Sequence, residues 1–250
     1  MLSRLCLSLE NETDKRITWN MSSVFHGVLM EILGGETASW MHEGQINPYS
    51  QYIQYDGKSV QWILSTMTAE AHQRILMPLM NASVLHIYLS YHDISLKVID
   101  KKLILLEKNE FLQSQYFRDY ERYFTIQFIT PVSFKSKGRY MNYPSLRWIF
   151  QSLMNKHDFV DGENQLYDEE VLETLEQKCY ISQYRLRSTF FSIEGVRIPS
   201  FLGSITICVK GNQSIVNLVN YLLMFGEYSG VGIKASMGMG AIQIEHKERK

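Results

Sequence analysis

The sequence predicts an α+β fold built from two successive β-α-β-β-α-β units, on three observations. Short alternating apolar runs recur along the chain with helical patterns between them, in the same order in each half. The apolar share is 45% and the aromatic share 12%, ample for packed cores and unlike a disordered chain. No apolar run approaches the ~18 residues that suggest a membrane span. Two such units in tandem are the ferredoxin-like (RRM-like) arrangement, expected over residues 1–118 and 119–250.

The first unit reads as follows. Arg4 to Glu10 alternates, with Leu5, Leu7 and Leu9 on one face, and is a strand. Ser22 to Leu33 keeps a helical period through Phe25, Val28, Leu29, Ile32 and Leu33. Gly34-Gly35 is its natural stop, and Glu36 to Glu43 is a further short helical turn. Strands are expected around Gln51 to Gln54, over Val60 to Met67 and over Val84 to Tyr91, with a helix at Thr68 to Met80. The linker is placed between Leu105 and Arg122, where Lys, Glu and Asp are dense.

The second unit repeats the order. Tyr123 to Thr130 is a strand and Pro144 to Lys156 a helix. Tyr180 to Ser192 and Arg197 to Val209 form a hairpin turning at Glu194-Gly195. Ser214 to Phe225 is a helix and Ala241 to His246 a strand. An acidic helix around Asp168 to Glu176 is an insertion after the unit's first helix, with acids favoured near its N-terminus.

The net charge of −1 hides an uneven distribution. Pro131 to His157 holds Lys135, Lys137, Arg139, Arg147 and Lys156 and no acid, whereas Asp158 to Glu176 is rich in acids and holds no Lys or Arg. The basic stretch is either a phosphate-binding surface or a solvated loop. Tyr140 and Tyr143 interleave with it and suit stacking on unpaired bases. Arg185 and Arg187 alternate with Tyr184 and Leu186, so both face one side of a sheet. The three cysteines, Cys6, Cys179 and Cys208, are scattered and lack Cys-x-x-Cys spacing, which points to reduced core residues in a cytoplasmic protein and to no zinc site. The N-terminus turns polar too soon for a signal peptide.

The most distinctive stretch is Gly230-Val231-Gly232-Ile233-Lys234-Ala235-Ser236-Met237-Gly238-Met239-Gly240. Glycine allows positive φ and close backbone approach, so successive amides can converge on an anion. Lys234 would add a charge and Ser236 a hydroxyl donor. A helical pattern precedes the loop and a strand follows it, the reverse of a dinucleotide fingerprint, and no Gly-Lys-Ser/Thr ends it. The plain alternative is a glycine-rich turn before a C-terminal strand.

The element order and this Gly-x-Gly…Gly-x-Gly loop resemble the RAMP superfamily of CRISPR systems. More narrowly, the chain resembles the CRISPR-associated endoribonuclease that cuts precursor CRISPR RNA within each repeat. Phe25-His26-Gly27-Val28-Leu29 on the first helix matches that family's apolar-x-Gly-apolar pattern. Trp40-Met41-His42-Glu43 before Pro48-Tyr49-Ser50 sits where the family often carries its catalytic histidine, and Thr130 to Lys135 looks like the start of its second domain.

The resemblance implies metal-independent cleavage, in which a 2′-hydroxyl attacks the adjacent phosphate to leave 2′,3′-cyclic phosphate and 5′-hydroxyl ends. Histidine suits the two proton transfers, since its unperturbed pKa is about 6.5. His42 and His26 are the catalytic candidates, with base and acid not assigned between them. Their plain alternatives are a polar helix cap and an edge-of-core histidine. RNA grip is assigned to Lys135, Lys137, Arg139, Gly232, Lys234, Ser236, Gly238 and Gly240. Of the seven histidines, His72 and His86 fall inside a helix and a strand, His92 and His157 at element ends, and His246 in the tail. The chain departs from the family at Met30, a tyrosine in several members, and in lacking a lysine after His42. Tyr49, Ser50 or a lysine of the second domain would have to substitute.

CRISPR repeat RNA is the expected partner, without cofactor, metal or membrane. The resemblance leaves room for a CRISPR effector complex and for a homodimer. Two rival readings stand beside the enzyme. One is a non-catalytic RAMP subunit holding guide RNA. The other is a ferredoxin-like regulatory protein that binds a small anion at the glycine loop.

Overall fold

A computed structural model describes residues 1–250 except 44–45, 57–58, 119, 163–164, 194 and 246–250; the side chains of residues 38, 42, 43 and 56 are likewise outside the description. The chain divides into two compact units. One comprises Met1–Leu106 with Ala235–Gly238, the other Glu107–Lys234 with Met239–Lys250.

The first unit begins with β1 (Leu2–Asn11), whose alternating leucines point into one core. Helix α1 (Ser22–Glu43) follows and is broken at Gly34, where φ is 77° and ψ is 170°, so the expected glycine stop is a real interruption of the helix. Then come β2 (Tyr49–Asp56) and β3 (Ser59–Thr66). Helix α2 (69–80) is α-helical at Ala69–Ala71 and Met77–Met80, with a π turn at His72–Leu76 between. Thr68 caps it by accepting the Ala71 amide. Strands β4 (His86–Leu89) and β5 (Ile94–Leu106) complete the unit. The sheet is fully antiparallel in the order β2-β3-β1-β5-β4. Phe25, Val28 and Leu29 of α1 and Ala71, Ile75 and Leu79 of α2 join Leu5, Leu7 and Trp62 in one buried cluster. Each such Val, Leu, Ile or Phe side chain contributes ~1.5–3 kcal/mol by leaving water.

Two details differ from the expectation. The strand that pairs with β1 is β5, not the Val84–Tyr91 segment, which shortens to the edge strand β4. The sequence reading assigns no element to residues 94–104, where Lys97, Asp100, Lys101 and Lys102 interrupt the apolar alternation, yet such charges do not prevent pairing through the backbone. Lys101 is used structurally: its Nζ donates to Leu79 O and Asn81 O at 2.8 and 2.7 Å, holding the end of α2.

In the second unit, the expected linker contains a helix, α3 (Lys108–Tyr116), whose buried Phe111 packs on Tyr221 and Tyr228. Strand β6 (Tyr123–Val132) leads into a hairpin, β7 (Phe134–Ser136) and β8 (Arg139–Met141). Its two turn residues, Lys137 and Gly138, both have positive φ, the backbone that matches strand twist in a tight hairpin. Helices α4 (Leu146–Val160) and α5 (Glu169–Lys178) follow. Asp168 caps α5 by accepting the Glu170 and Val171 amides, and Arg147 of α4 pairs with Glu169 and Glu176 across the two helices. Strands β9 (Cys179–Ile193) and β10 (Val196–Val209), helix α6 (Gln213–Ser229) and strand β11 (Ile242–Glu245) complete the unit. The sheet order is β11-β6-β10-β9, the four-stranded ferredoxin-like order that the sequence predicts. Ile126 and Phe128 of β6 meet Phe150 and Leu153 of α4 and Val219 and Leu222 of α6 in its core.

Candidate functional site

The site grows from the first turns of α1. Phe25 is fully buried and meets the Trp62 ring edge-on at 5.1 Å, which fixes the helix rotation. His26 is therefore held at the border of the core, half-buried. Strand β2 lies alongside, with alternate residues Tyr49 and Gln51 both buried, because its pairing with β3 (Tyr49 opposite Thr66, Gln51 opposite Leu64) gives the two residues one face.

Tyr49 Oη lies 2.7 Å from His26 Nδ1, with the two rings close to parallel. Burial pushes the Tyr49 phenol well above the ordinary tyrosine range, so it stays protonated. The Ser236 hydroxyl also hydrogen-bonds this phenol. Asn47 Nδ2 donates to Ser236 Oγ at 3.1 Å. Asn47, Ser236, Tyr49 and His26 thus form one hydrogen-bonded chain, in which Asn47 donates to Ser236 and the tautomer of His26 sets the direction of the Tyr49–His26 bond. A neutral imidazole accepting at Nδ1 carries its proton on Nε2.

Gln51 anchors the same region. Its Nε2 donates to Ser22 O at 2.8 Å and Ser236 O at 3.1 Å, while its Oε1 accepts from Trp62 Nε1 at 2.9 Å. Every polar atom of this buried amide oxygen and nitrogen pair is engaged, which is what burial of such a group requires. The backbone of Ser236 is thereby fixed, and its hydroxyl with it.

Of the two readings of the glycine loop, an anion cradle or a glycine-rich turn, the packing of its amides fits the second. Gly230, Gly232, Gly238 and Gly240 all have positive φ. Their amides, however, have protein partners: Gly232 N donates to Ser152 Oγ at 2.9 Å, Gly240 N to Pro131 O at 3.0 Å and Gly238 N to Ala235 O at 3.3 Å. The expected cradle of convergent glycine amides is replaced by close packing. A Cβ on Gly238 would lie 2.1 Å from Ser22 Cβ, so only glycine lets the loop tip reach α1. Ser236, expected as a donor to an anion, is buried and turned toward Tyr49 and Asn47. Lys234 is exposed in a left-handed conformation with φ of 59°, and among the described residues its side chain has no ion pair or hydrogen bond.

Lys135, Lys137 and Arg139 share the β7–β8 hairpin, all exposed and, among the described residues, without an acidic partner. Tyr140 stands opposite Lys135, and Tyr143 is half-exposed against Trp148 at 5.3 Å. Arg185 and Arg187 do share a sheet face, opposite Ser204 and Leu202 of β10.

The His42 side chain and His246 lie outside the described residues. His72 is buried with Nδ1 3.1 Å from Ser3 Oγ, and His86 faces Glu12 at 3.9 Å on the surface. His157 is buried between Tyr221 Oη at 3.0 Å and Asp158 Oδ1 at 3.2 Å. Burial lowers its pKa, and the Asp158 hydrogen bond opposes that shift. Among the described residues, no group of three or more His, Cys, Asp or Glu is placed to hold a metal ion, and no helix is long and apolar enough to cross a membrane.

Tyr49, Asn47 and Gln51 are thus the site residues that the histidine-centred reading of the sequence missed or left as a substitute. Only Tyr49 carried a signal, its position just after the candidate catalytic histidine.

Residues 126–242 match the CRISPR-associated endoribonuclease Cas6 family. Two curated relatives, each a CRISPR-associated endoribonuclease Cas6, come from Mycobacterium tuberculosis (strain CDC 1551 / Oshkosh) and Streptococcus thermophilus. The first is 36% identical over 98% of this chain and 78% of its own length. The second is 34% identical over 90% of this chain and 91% of its own length. Among solved structures, a Cas6 product complex superposes with a TM-score of 0.76 at 19% identity, covering 98% of this chain and 100% of the other. The shared sequence over nearly the whole length and the shared tandem fold have one conclusion: the chain belongs to the CRISPR-associated endoribonuclease Cas6 family.

Proposed function

We propose that this chain is an endoribonuclease that cuts precursor CRISPR RNA within its repeats, without a metal ion. The 2′-hydroxyl at the cut site attacks the adjacent phosphorus, and the bond from phosphorus to the 5′-oxygen breaks. The 2′ proton passes to a base, and the leaving 5′-oxygen receives a proton. The products carry a 2′,3′-cyclic phosphate and a 5′-hydroxyl.

The observation that supports this reading most is the hydrogen-bonded chain from Asn47 through Ser236 and Tyr49 to His26. It orients the imidazole, and in the tautomer that accepts from Tyr49 at Nδ1 the ring carries an N–H at Nε2 suited to donate toward a phosphate oxygen as negative charge builds in the transition state. His42 is then the group assigned to the 2′ proton. Lys135, Lys137 and Arg139 on the hairpin, and Lys234 on the loop, neutralise RNA phosphates, while Tyr140 and Tyr143 stack on bases. The protein works in the cytoplasm on repeat RNA, and its assembly with itself or with an effector complex belongs to the same reading.

The test is incubation with a short repeat RNA in excess EDTA, beside the same RNA carrying one 2′-deoxy at the mapped cut. A single EDTA-resistant cut, lost with the 2′-deoxy, is the expected result. Cutting that EDTA abolishes, or that survives the 2′-deoxy, overturns the mechanism. Tight binding without cutting would make the chain a guide-holding subunit instead.

A further inference from the structure

One buried cation takes no part in the site described so far. Lys156 of α4 is buried, and its Nζ donates to Ser229 O at 3.1 Å and Gly230 O at 2.9 Å. These are the last carbonyl of α6 and the first of the glycine loop. The helix end already has a cap of the usual kind, since Gly230 takes positive φ and its amide returns to Gly226 O at 2.8 Å. The ammonium is an addition to that cap.

Burying an ammonium costs desolvation that an apolar side chain of the same length would not incur. What lysine supplies in exchange is direction: two oriented hydrogen bonds to two consecutive carbonyls. One turn earlier on the same face of α4, Ser152 Oγ accepts the Gly232 amide at 2.9 Å. The next amide, Ile233 N, donates to Ser133 O at 3.1 Å, and a Cβ on Gly232 would lie 2.4 Å from that same oxygen. Each of the residues 229, 230, 232 and 233 is therefore tied down in succession. The chain then delivers Lys234, which holds a left-handed backbone that residues with side chains disfavour. Such a conformation persists only where the flanking residues impose it.

We propose that Lys156 and Ser152 are positioning residues for RNA binding: from adjacent turns of α4 they fix the entry of the glycine loop so that Lys234 is presented to an RNA phosphate. The inference rests on the reading that Lys234 grips RNA. Lys156 itself touches no RNA; it acts through the loop.

The experiment measures binding of repeat RNA by fluorescence anisotropy, and single-turnover cutting at saturating protein, for the wild type, K156M, S152A, S152T, K234A and the double variant K156M/K234A. Expected are a rise in Kd of at least fivefold for K156M and about threefold for S152A, restoration by S152T, and a saturated cutting rate within twofold of wild type for K156M, S152A and S152T. The decisive comparison is the double variant. If Lys156 works by presenting Lys234, K156M adds less than twofold once Lys234 is gone. Equal losses in both backgrounds, or wild-type affinity for K156M and S152A alike, overturn the proposal. A K234A variant that binds as tightly as wild type overturns the underlying reading, and the inference with it. Should K156M not fold, S152A against K234A supplies the same cycle.

Discussion

Tyr49 Oη sits 2.7 Å from His26 Nδ1, and the phenol is buried while the imidazole is only partly so. The tyrosine is the rigid member of the pair and the histidine the one it orients. Y49F keeps the ring and its packing but deletes the hydrogen bond. The cutting rate at saturating RNA should fall on the order of tenfold to a hundredfold, below the ~10²–10⁴-fold of a whole acid–base group because only its orientation is lost, while RNA affinity stays within twofold. A Y49F enzyme with wild-type rate would mean that His26 needs no such orientation.

His42 tests the other half of the mechanism. H42A should abolish detectable cutting and leave repeat RNA binding within twofold. Retained cutting in H42A would move the 2′ proton to a different group.

Two glycines separate space from conformation. Gly238 has φ of 101° and no room for a Cβ beside Ser22, so G238A should cost several kcal/mol and displace the loop tip. Gly27, on α1 next to His26, has nothing within 4 Å of an added Cβ. G27A should therefore stabilise the chain by about 0.5–1 kcal/mol. Urea denaturation of both variants reads the contrast, and a neutral G238A would contradict the packing described.

Lys156 makes stability depend on alkaline pH. Burial lowers its pKa from 10.5 to about 7. Between those values the unfolded chain holds a proton that the folded chain does not, so stability rises with pH across the window and is flat below it. The rise approaches about 1.4 kcal/mol per pH unit. The difference in unfolding free energy between wild type and K156M, taken at pH 7, 8 and 9, should move in favour of wild type by that order. A constant difference would show that Lys156 keeps an ordinary pKa.

The hairpin charges predict a salt effect. Each phosphate contact on a single strand contributes about 0.7 to the slope of log affinity against log salt. Replacing Lys135, Lys137 and Arg139 together by alanine should flatten that slope by about 2 and weaken all RNA sequences alike. An unchanged slope would place the RNA elsewhere.

How much of this was legible beforehand depends on the range of the interactions involved. The leucine alternation of β1, the glycine stop in α1 and the β9–β10 hairpin are local patterns, and each is present in the structure. Strand β5 was obscured because its outward side chains are charged, although its pairing with β1 runs through the backbone. The β7–β8 hairpin carries no turn signature in the sequence beyond Gly138, since a lysine stands at the other of its two positive-φ turn positions. The glycine loop was noticed, but its role was not legible. Ser236 meets Asn47 across 189 residues of sequence, and no periodicity or spacing reports a partner that far away. The same holds for Gly238 against Ser22.

That separation bears on how the protein comes into being. Synthesis releases residues 1–106 first, and they contain the whole five-stranded sheet, His26 and Tyr49. They do not contain Ser236, which belongs to the same compact unit but is translated more than a hundred residues later. Until then Tyr49 lacks its hydroxyl partner, and Gln51 lacks one of its carbonyl acceptors. The histidine is present early, but the network that orders it is complete only once residue 236 has been made.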